Sequence, residues 1–356
     1  MKYVYHNILN NLFIIAFLLT CLLVSINYNI FFIVVIIFLI YIYLNDKTLF
    51  IISFTITIIV LLLYIIIYKY QMYLINNFED YITGKIINIE QKQYYQKITL
   101  KYKIFKIIVR DYNFNNLELG MVIKVEGINL DIDCNHVFNG FNYNKYFYNN
   151  LYLYEIKSSS IKILKKQFSI YIFNDLVNNY LVNNFTDQSL VILKGFILGD
   201  TSGFSSSLNN ELKINGIIHL FAISGLHVSL LISLLEKGLN NLKFKNYIIN
   251  IILIIYMIIT RFSISILRSV LTYFFKLFFK NKNIIVSSIN ITSLIFILFV
   301  LTNPFIMYNN GFVLSFMATF IIILIPDSIK NKSKIKNRVY YSLKGGQSDM
   351  FVFKFE

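Results

Sequence analysis

The chain has 356 residues, of which 57% are hydrophobic and only 14% are charged, and its mean hydropathy is +0.62. Soluble domains carry about a quarter of charged residues, so this composition excludes an ordinary soluble enzyme or binding module and indicates an integral membrane protein. The net charge of +15 is weak evidence for a nucleic-acid partner, because the many Ile, Asn and Lys residues indicate an AT-rich genome.

Three apolar runs near the N-terminus predict three membrane-spanning helices. A span needs about 20 apolar residues, and the runs cover residues 8–26, 30–44 and 48–68. A signal peptide is a possible alternative for the first run, but no small-residue cleavage pattern follows it and further apolar runs do. We therefore expect a retained helix in a tight three-helix bundle, since only short polar segments separate the runs.

From Lys69 to Lys166 the apolar runs shorten to strand length and lysines become frequent. Five segments alternate or cluster β-branched and aromatic residues between turn-like breaks: YITGKIINIEQ, QKITLKY, FKIIVR, MVIKVEGI and YLYEIKSSSIKIL. They predict an OB-like β-barrel, a fold that offers a face for oligonucleotides. Solubilising surface charge is the more ordinary interpretation of the lysines, because many small barrels bind no ligand.

The second half of the chain returns to an apolar composition. Residues 167–199 are mildly amphipathic and too rich in Asn and Asp for a full span, so we expect a helix along the membrane interface. The segment GDTSGFSSSLNN then breaks this helix with two glycines and offers a serine run as the next N-cap. Five further spans are predicted at residues 215–235, 246–260, 262–280, 283–301 and 305–325.

Lysine placement predicts the orientation of these spans. The connections after the first, third and fifth of them are basic, whereas the LTNP connection at residues 301–304 has no charge. By the positive-inside tendency, the basic connections are cytoplasmic and the uncharged one is external. Counting back along the chain places the barrel outside, and three N-terminal spans that start in the cytoplasm place it there too. Both termini are therefore expected in the cytoplasm.

The predicted fold class is a polytopic α-helical membrane protein of the cytoplasmic membrane, with an inserted extracytoplasmic OB-like β-barrel domain. Its domains are the N-terminal helices (1–68), the barrel (69–166), the interfacial helix and turn (167–214), a membrane domain of about five spans (215–325) and a basic cytoplasmic tail (326–356).

Glycines and polar residues gather where the membrane domain begins. Six of the 13 glycines fall between Gly195 and Gly238, and glycine in an apolar helix permits a close backbone approach or a break. His219 and His227 lie about two turns apart, with Ser224 between them. Polar groups at membrane depth are costly, so a functional position facing protein or water is the default interpretation.

Later spans contain further polar positions, each with a simpler alternative. Arg268 lies in SISILRSVLTYF, and Gly311 and Ser315 lie in NNGFVLSFMAT. Ser315 could merely hydrogen-bond a neighbouring helix, and Arg268 could extend its charge toward a membrane surface. Asp200 could be only a turn-former in GDTSG.

The segment ILGDTSGFSSSLNNELKINGIIHLFAISGLHVSLL (197–231) resembles the signature of the ComEC competence family, whose members carry an LGD-x-SG turn followed by a G-x-x-HL-x-AISGLH helix. SISILRSVL is similar to the S-x-x-R helix of that family, and NPFIMYNNGFVLSFMAT is similar to its NP…GF-x-LSF-x-AT stretch. Upstream, FNGFNYNKYFYNNLYLY resembles the segment before the last strand of the external OB domain of the family. The resemblance covers residues 8 to about 325.

The resemblance implies a channel that passes one strand of incoming DNA through the cytoplasmic membrane during natural transformation. The implied partners are single-stranded DNA, membrane lipid, and the membrane-anchored DNA receptor and cytoplasmic ATPase of the uptake machinery. The candidate channel and DNA-path residues are Asp200, Gly203, His219, Ser224, Gly225, His227, Arg268, Gly311 and Ser315.

The chain also departs from the family pattern. Family members usually continue through more membrane helices and often end in a metallo-β-lactamase-like domain, so a pore here would need a homo-oligomer or a second polypeptide. The four histidines are His6, His136, His219 and His227. They cannot form an H-x-H-x-D-H metal site, and Cys21 and Cys134 offer neither a disulfide nor a metal site, so we expect no nuclease, no metal and no cofactor.

Two alternatives to the channel remain open. An intramembrane serine hydrolase could use Ser224 as its nucleophile and a histidine as its base, although the G-x-S-x-G elbow is absent. The chain could also be a truncated, inactive remnant. The channel interpretation predicts that the protein is not an enzyme.

Overall fold

The computed structural model describes residues 11–25, 30–77, 81–130, 137–138, 141–201, 203–215 and 225–324. They form two compact units. The barrel unit comprises Phe54–Phe173 and Phe299–Asn310, and the helical unit contains the described residues up to Ser53, those of Asn174–Leu298 and those from Gly311 onward. The described residues are mostly helical and include one closed five-stranded barrel, which confirms these two parts of the predicted fold class.

The N-terminal helices are α1 (Leu12–Ser25), α2 (Ile30–Asn45) and α3 (Lys47–Asn76). The Asp46 carboxylate begins α3 by accepting the backbone N–H groups of Thr48 (2.9 Å) and Leu49 (3.1 Å). Helix α3 has 30 residues and a mean hydropathy of 3.0 over its most apolar window. Among the described helices it is the one that is long and apolar enough to cross a membrane.

The predicted boundary between helices and barrel at residue 69 was wrong by several residues. Helix α3 continues to Asn76, because Leu74 is buried against the barrel core and Tyr70 and Ile75 pack beside it. The apolar face of its last two turns is therefore stabilised by the barrel rather than by other helices. The strands begin only at Tyr81.

The barrel is built from the five predicted segments. The strands are β1 (Tyr81–Gln91), β2 (Gln96–Tyr102), β3 (Phe105–Asp111), β4 (Met121–Leu130) and β5 (Tyr152–Lys166). Their order around the barrel is β1-β2-β3-β5-β4, and β4 closes the barrel by pairing with β1. Strands β3 and β5 are parallel and the other pairs are antiparallel. The five-stranded barrel is therefore confirmed.

Strand alternation fills the barrel interior. The inward side chains include Ile86, Ile98, Leu100, Phe105 and Val109, and all five are completely buried. Their neighbours along the strands point outward. Gly127 is required where β4 bulges, because a Cβ there would overlap the carbonyl oxygen of Lys157 on β5.

A short helix, α4 (Tyr143–Asn150), connects β4 to β5. Its Phe147 packs with Ile108 of β3 and Tyr152 of β5 into a second small apolar cluster. This cluster covers the middle of the outer surface of β3, since Ile107 and Val109 beside Ile108 belong to the interior core. A two-residue pairing of Val137–Phe138 with Phe141–Asn142 precedes α4.

The segment 167–199 is helical as predicted but is divided into three parts rather than one helix, and its place along a membrane interface stays a prediction. The structure has α5 (Ile172–Asn184), α6 (Asp187–Leu193) and a π-helical turn (Lys194–Leu198). Thr186 adopts an extended conformation that separates α5 from α6, and Gly199 ends the π-turn in the left-handed region at φ 70°. Helix α7 (Ser206–Ile214) follows, and the predicted serine cap is confirmed, since Ser205 Oγ accepts the Leu208 N–H at 3.2 Å.

The remaining helices are α8 (Gly225–Gly238), α9 (Lys245–Ile259), α10 (Ile264–Asn281), α11 (Ser288–Thr302) and α12 (Asn310–Leu324). The fourth predicted span begins later than expected, because Asn283 takes a left-handed φ of 54° that ends α10. The fifth begins as a 3₁₀ turn at Pro304–Tyr308 before α12. The start of the first span, at 216–224, and the basic tail lie outside the described residues.

Candidate functional site

Gly225 begins α8 at a close contact with α10. A Cβ at this position would stand 2.5 Å from Ser269 Oγ and 3.1 Å from Arg268 Nη2. Ser269 cannot be moved without loss, because its hydroxyl donates to the Ser265 carbonyl at 2.9 Å. Glycine is therefore what allows the two helices to meet here, as small residues do at helix contacts in membranes.

Arg268 connects this contact to a third helix. Its Nε donates to Ser315 Oγ of α12 at 2.9 Å, and its guanidinium carbon lies 5.9 Å from the ring centre of Phe316. The structure thus brings together three of the predicted site residues, Gly225, Arg268 and Ser315. We call these three residues the helix intersection.

The charge of Arg268 is not balanced within the described part of the chain. The ion pairs formed there do not include Arg268, and the partner of its Nε is a neutral hydroxyl. A guanidinium has five N–H donors in a rigid fork that matches carboxylate and phosphate oxygens. A half-buried guanidinium with neutral neighbours is chemically suited to bind an anionic group that reaches the intersection.

His227 lies two residues beyond the contact position Gly225, in the first turn of α8. Its ring meets the ring of Phe196 edge to face, with centroids 4.9 Å apart. Phe196 belongs to the π-turn, a local distortion that is frequent at functional sites. His227 is therefore held against the turn that precedes the LGD segment.

The other predicted site residues do not join the helix intersection. Asp200 is exposed just after the π-turn, and Gly203 lies where a Cβ would stand 3.4 Å from Val191 of α6. Gly311 is exposed in the first turn of α12. His219 and Ser224 lie outside the described residues.

Sequence reasoning missed a second polar contact, formed by Asn174 of α5. This buried amide donates to the Ile259 carbonyl at 2.6 Å and accepts Arg261 Nε at 3.0 Å. Arg261 also approaches Asp175 at 3.5 Å, and its own φ of 52° is left-handed. Burial raises the pKa of Asp175, and the charge of Arg261 opposes that rise. No sequence signal distinguishes Asn174 from the other asparagines of α5.

Comparisons with known proteins agree with the motif evidence. Residues 196–346 match the Competence protein family. The chain is 31% identical to the uncharacterized protein MG316 of Mycoplasma genitalium, over 48% of this chain and 47% of that protein. It is 30% identical to the MG316 homolog of Mycoplasma pneumoniae, over 37% of this chain and 35% of that protein.

The chain thus spans half or less of the length of these curated relatives. No solved structure matches it significantly. The helix intersection, His227 and the π-turn residue Phe196 all fall inside the matched segment. Residues 196–346 therefore carry a Competence protein domain, which confirms the resemblance of this chain to the ComEC competence family.

Proposed function

We propose that the chain is a component of a membrane channel that takes up single-stranded DNA across the cytoplasmic membrane in natural transformation. The observation that carries the proposal is the helix intersection of Gly225, Arg268 and Ser315 inside the Competence protein domain. Competence is the family role, and at the intersection the described residues of the domain place a cation among apolar helices without an ion pair.

The chemistry of the intersection suits a DNA backbone. A phosphate passing α10 would meet the guanidinium of Arg268, and Ser315 would hold that guanidinium in place through Nε. Phe316 is buried beside the same guanidinium, and its ring helps to hold the cation in place. Because Ser315 is neutral, it orients the charge without cancelling it, so the attraction for a passing anion is kept.

The proposal includes a multi-pass arrangement in the cytoplasmic membrane. Apolar side chains cover the outside of α2, where Ile33 is 62% exposed and Leu44 is 76% exposed. A helix of this length spans about 24 Å, less than the roughly 30 Å of a bilayer core, so such spans would require local thinning of the bilayer. The lysine pattern supports cytoplasmic termini and an external barrel.

We also propose that a second copy or a second polypeptide completes the pore. The outward face of α12 supports this, because Leu314 is 69% exposed and Met317 is 57% exposed one turn further along. Lipid or another helix would cover this face in a membrane. The remaining proposed partners are the DNA receptor and the cytoplasmic ATPase of the uptake machinery.

Arg268→Gln tests the channel directly. Cells receive labelled DNA, and the label that becomes protected from added nuclease is compared with the label bound at the surface. We expect Arg268→Gln to lose protected label and to keep surface label, because the variant removes the cation and keeps a polar side chain. Lys280→Gln on the same helix is the matched control, since Lys280 is exposed at the end of α10. Normal protection in Arg268→Gln cells would contradict the proposal.

Ser224→Ala separates the channel from the hydrolase alternative. A hydrolase that uses Ser224 as its nucleophile loses all activity without the hydroxyl. A channel keeps most of its uptake, because the substitution removes one hydroxyl and leaves Gly225 and Arg268 in place. Complete loss of uptake in a variant that is present at normal abundance in the membrane would favour the hydrolase.

A further inference from the structure

Three cations form a row across the outer face of the barrel. Lys97 of β2 stands opposite Arg110 of β3, and Arg110 stands opposite Lys157 of β5. Their chain neighbours Ile98, Val109 and Ile156 are buried in the barrel core, so the three cations point outward. Adjacent strands are about 4.8 Å apart, so the row is about 10 Å long. We call Lys97, Arg110 and Lys157 the basic row.

Among the described residues, an ion pair balances one of these three charges. Like charges directly opposite each other destabilise a sheet. Glu155, whose side chain is 5% exposed, pairs with Arg110 and offsets one of the three charges. Glu90 stands opposite Lys97 but pairs with Lys92 at 3.0 Å. Lys97 and Lys157 form no ion pair with a carboxylate in the described part of the chain, so an anionic ligand would relieve a repulsion.

Two tyrosines accompany the basic row. The ring centres of Tyr95 and Tyr112 are 5.5 Å apart. The guanidinium carbon of Arg110 lies 5.3 Å from the Tyr95 ring centre, and Lys157 Nζ lies 5.2 Å from that of Tyr112. Tyr112 is 41% exposed, so part of its ring is open to a ligand. Aromatic rings beside cations are the elements that proteins use to hold unstacked bases and their phosphates.

We propose that the basic row, Tyr95 and Tyr112 form a binding site for single-stranded nucleic acid on the barrel. Lys97 and Lys157 bind phosphates, and an unstacked base lies on Tyr112. Arg110, fixed by Glu155, is a positioning residue that holds Tyr95 beside Tyr112. Double-stranded DNA binds more weakly, because its bases are stacked and cannot reach the ring. The ligand class, DNA, rests on the proposed function.

The first test measures binding of a labelled oligothymidylate of about 15 nucleotides to the full chain in detergent. We expect Tyr112→Ala to weaken binding about 5- to 150-fold, because loss of one stacked base costs about 1–3 kcal/mol. Tyr81→Ala is the matched control. Tyr81 is 48% exposed and has Lys124 Nζ 3.6 Å from its ring centre, but it begins β1 and pairs with β4, away from the basic row. The Tyr81→Ala variant should bind the oligothymidylate with the affinity of the unmodified chain.

The second test measures how the affinity depends on salt. Each phosphate contact to a single strand contributes about 0.7 to the slope of log affinity against log salt, so Lys97→Gln with Lys157→Gln should reduce the slope by about 1.4. Lys162→Gln with Lys165→Gln removes the same charge from exposed positions of β5 and should leave the slope nearly unchanged. An equal reduction of the slope in both double variants would show that the barrel attracts any polyanion through its general charge. That result would overturn the site.

The two proposals fail separately in these experiments. A chain that binds the oligonucleotide but imports no DNA contradicts the channel and leaves the site intact. Unchanged affinity in Tyr112→Ala, or a duplex that binds as tightly as the single strand, overturns the site and leaves the channel intact. Stronger binding to vesicles of anionic lipid than to the oligonucleotide also overturns the site.

Discussion

Gly225→Ala should destabilise the helical unit through one identifiable clash. The new methyl group would stand 2.5 Å from Ser269 Oγ, closer than carbon and oxygen can approach, so α8 or Ser269 has to move. Overpacking of this kind costs about 1–3 kcal/mol. Gly238→Ala at the other end of α8 is the control, because no atom lies within 4 Å of its added Cβ. That variant should be as stable as the unmodified chain or more stable by up to about 1 kcal/mol.

A second substitution identifies the clash as the cause. Ser269→Ala removes the hydroxyl that Gly225→Ala would strike, and the Ser269 Cβ lies at an ordinary 3.6 Å. The double variant should therefore regain much of the lost stability, with a coupling energy of about 0.5–3 kcal/mol. Unfolding by heat or urea in detergent measures the stability of the unmodified chain, the two single variants Gly225→Ala and Ser269→Ala, and the double variant. The Gly238→Ala control is measured in the same way. Wild-type stability in Gly225→Ala, or no recovery in the double variant, would refute the reasoning.

Three further predictions concern other parts of the molecule. Asn174→Leu should cost about 1–3 kcal/mol in thermal unfolding, because the Ile259 carbonyl and Arg261 lose their buried partner, whereas Asn184→Leu on the exposed part of α5 should cost little. Burial lowers the pKa of Lys106, so the free energy of unfolding of the barrel rises as pH rises through that lowered pKa toward 10.5. Lys106→Met removes the buried charge, so this variant should be more stable than the unmodified chain at pH 7 in thermal unfolding. The difference in stability should shrink in alkaline solution, where the lysine of the unmodified chain becomes neutral. A reporter fused at Lys103 should be active outside the cytoplasm, and a cytoplasmic signal would overturn the proposed topology.

The barrel could be predicted well because each strand carries its own signal. Alternating side chains in segments such as QKITLKY identify a strand without reference to its neighbours. Helix α4 was missed because NYNKYFYNN is rich in Asn and Tyr, which are weak helix formers. It is helical because Phe147 packs on Ile108 of β3, a contact that no local pattern contains.

The candidate site could be predicted in its members but not in its geometry. Motif spacing singled out Gly225, Arg268 and Ser315, yet Arg268 and Ser315 are 47 residues apart in the chain. Whether they touch depends on how α10 and α12 pack, which periodicity does not determine. The basic row was hidden for the same reason, since the lysine count of the barrel does not reveal which cations stand opposite each other across three strands.

The most direct test of the proposed channel is uptake of DNA labelled on one strand by cells that lack this chain. The account predicts that protected label falls to background on deletion while surface label remains. It further predicts that the unmodified chain restores protected label and that the Arg268→Gln chain does not. Uptake that continues unchanged after deletion would contradict the account.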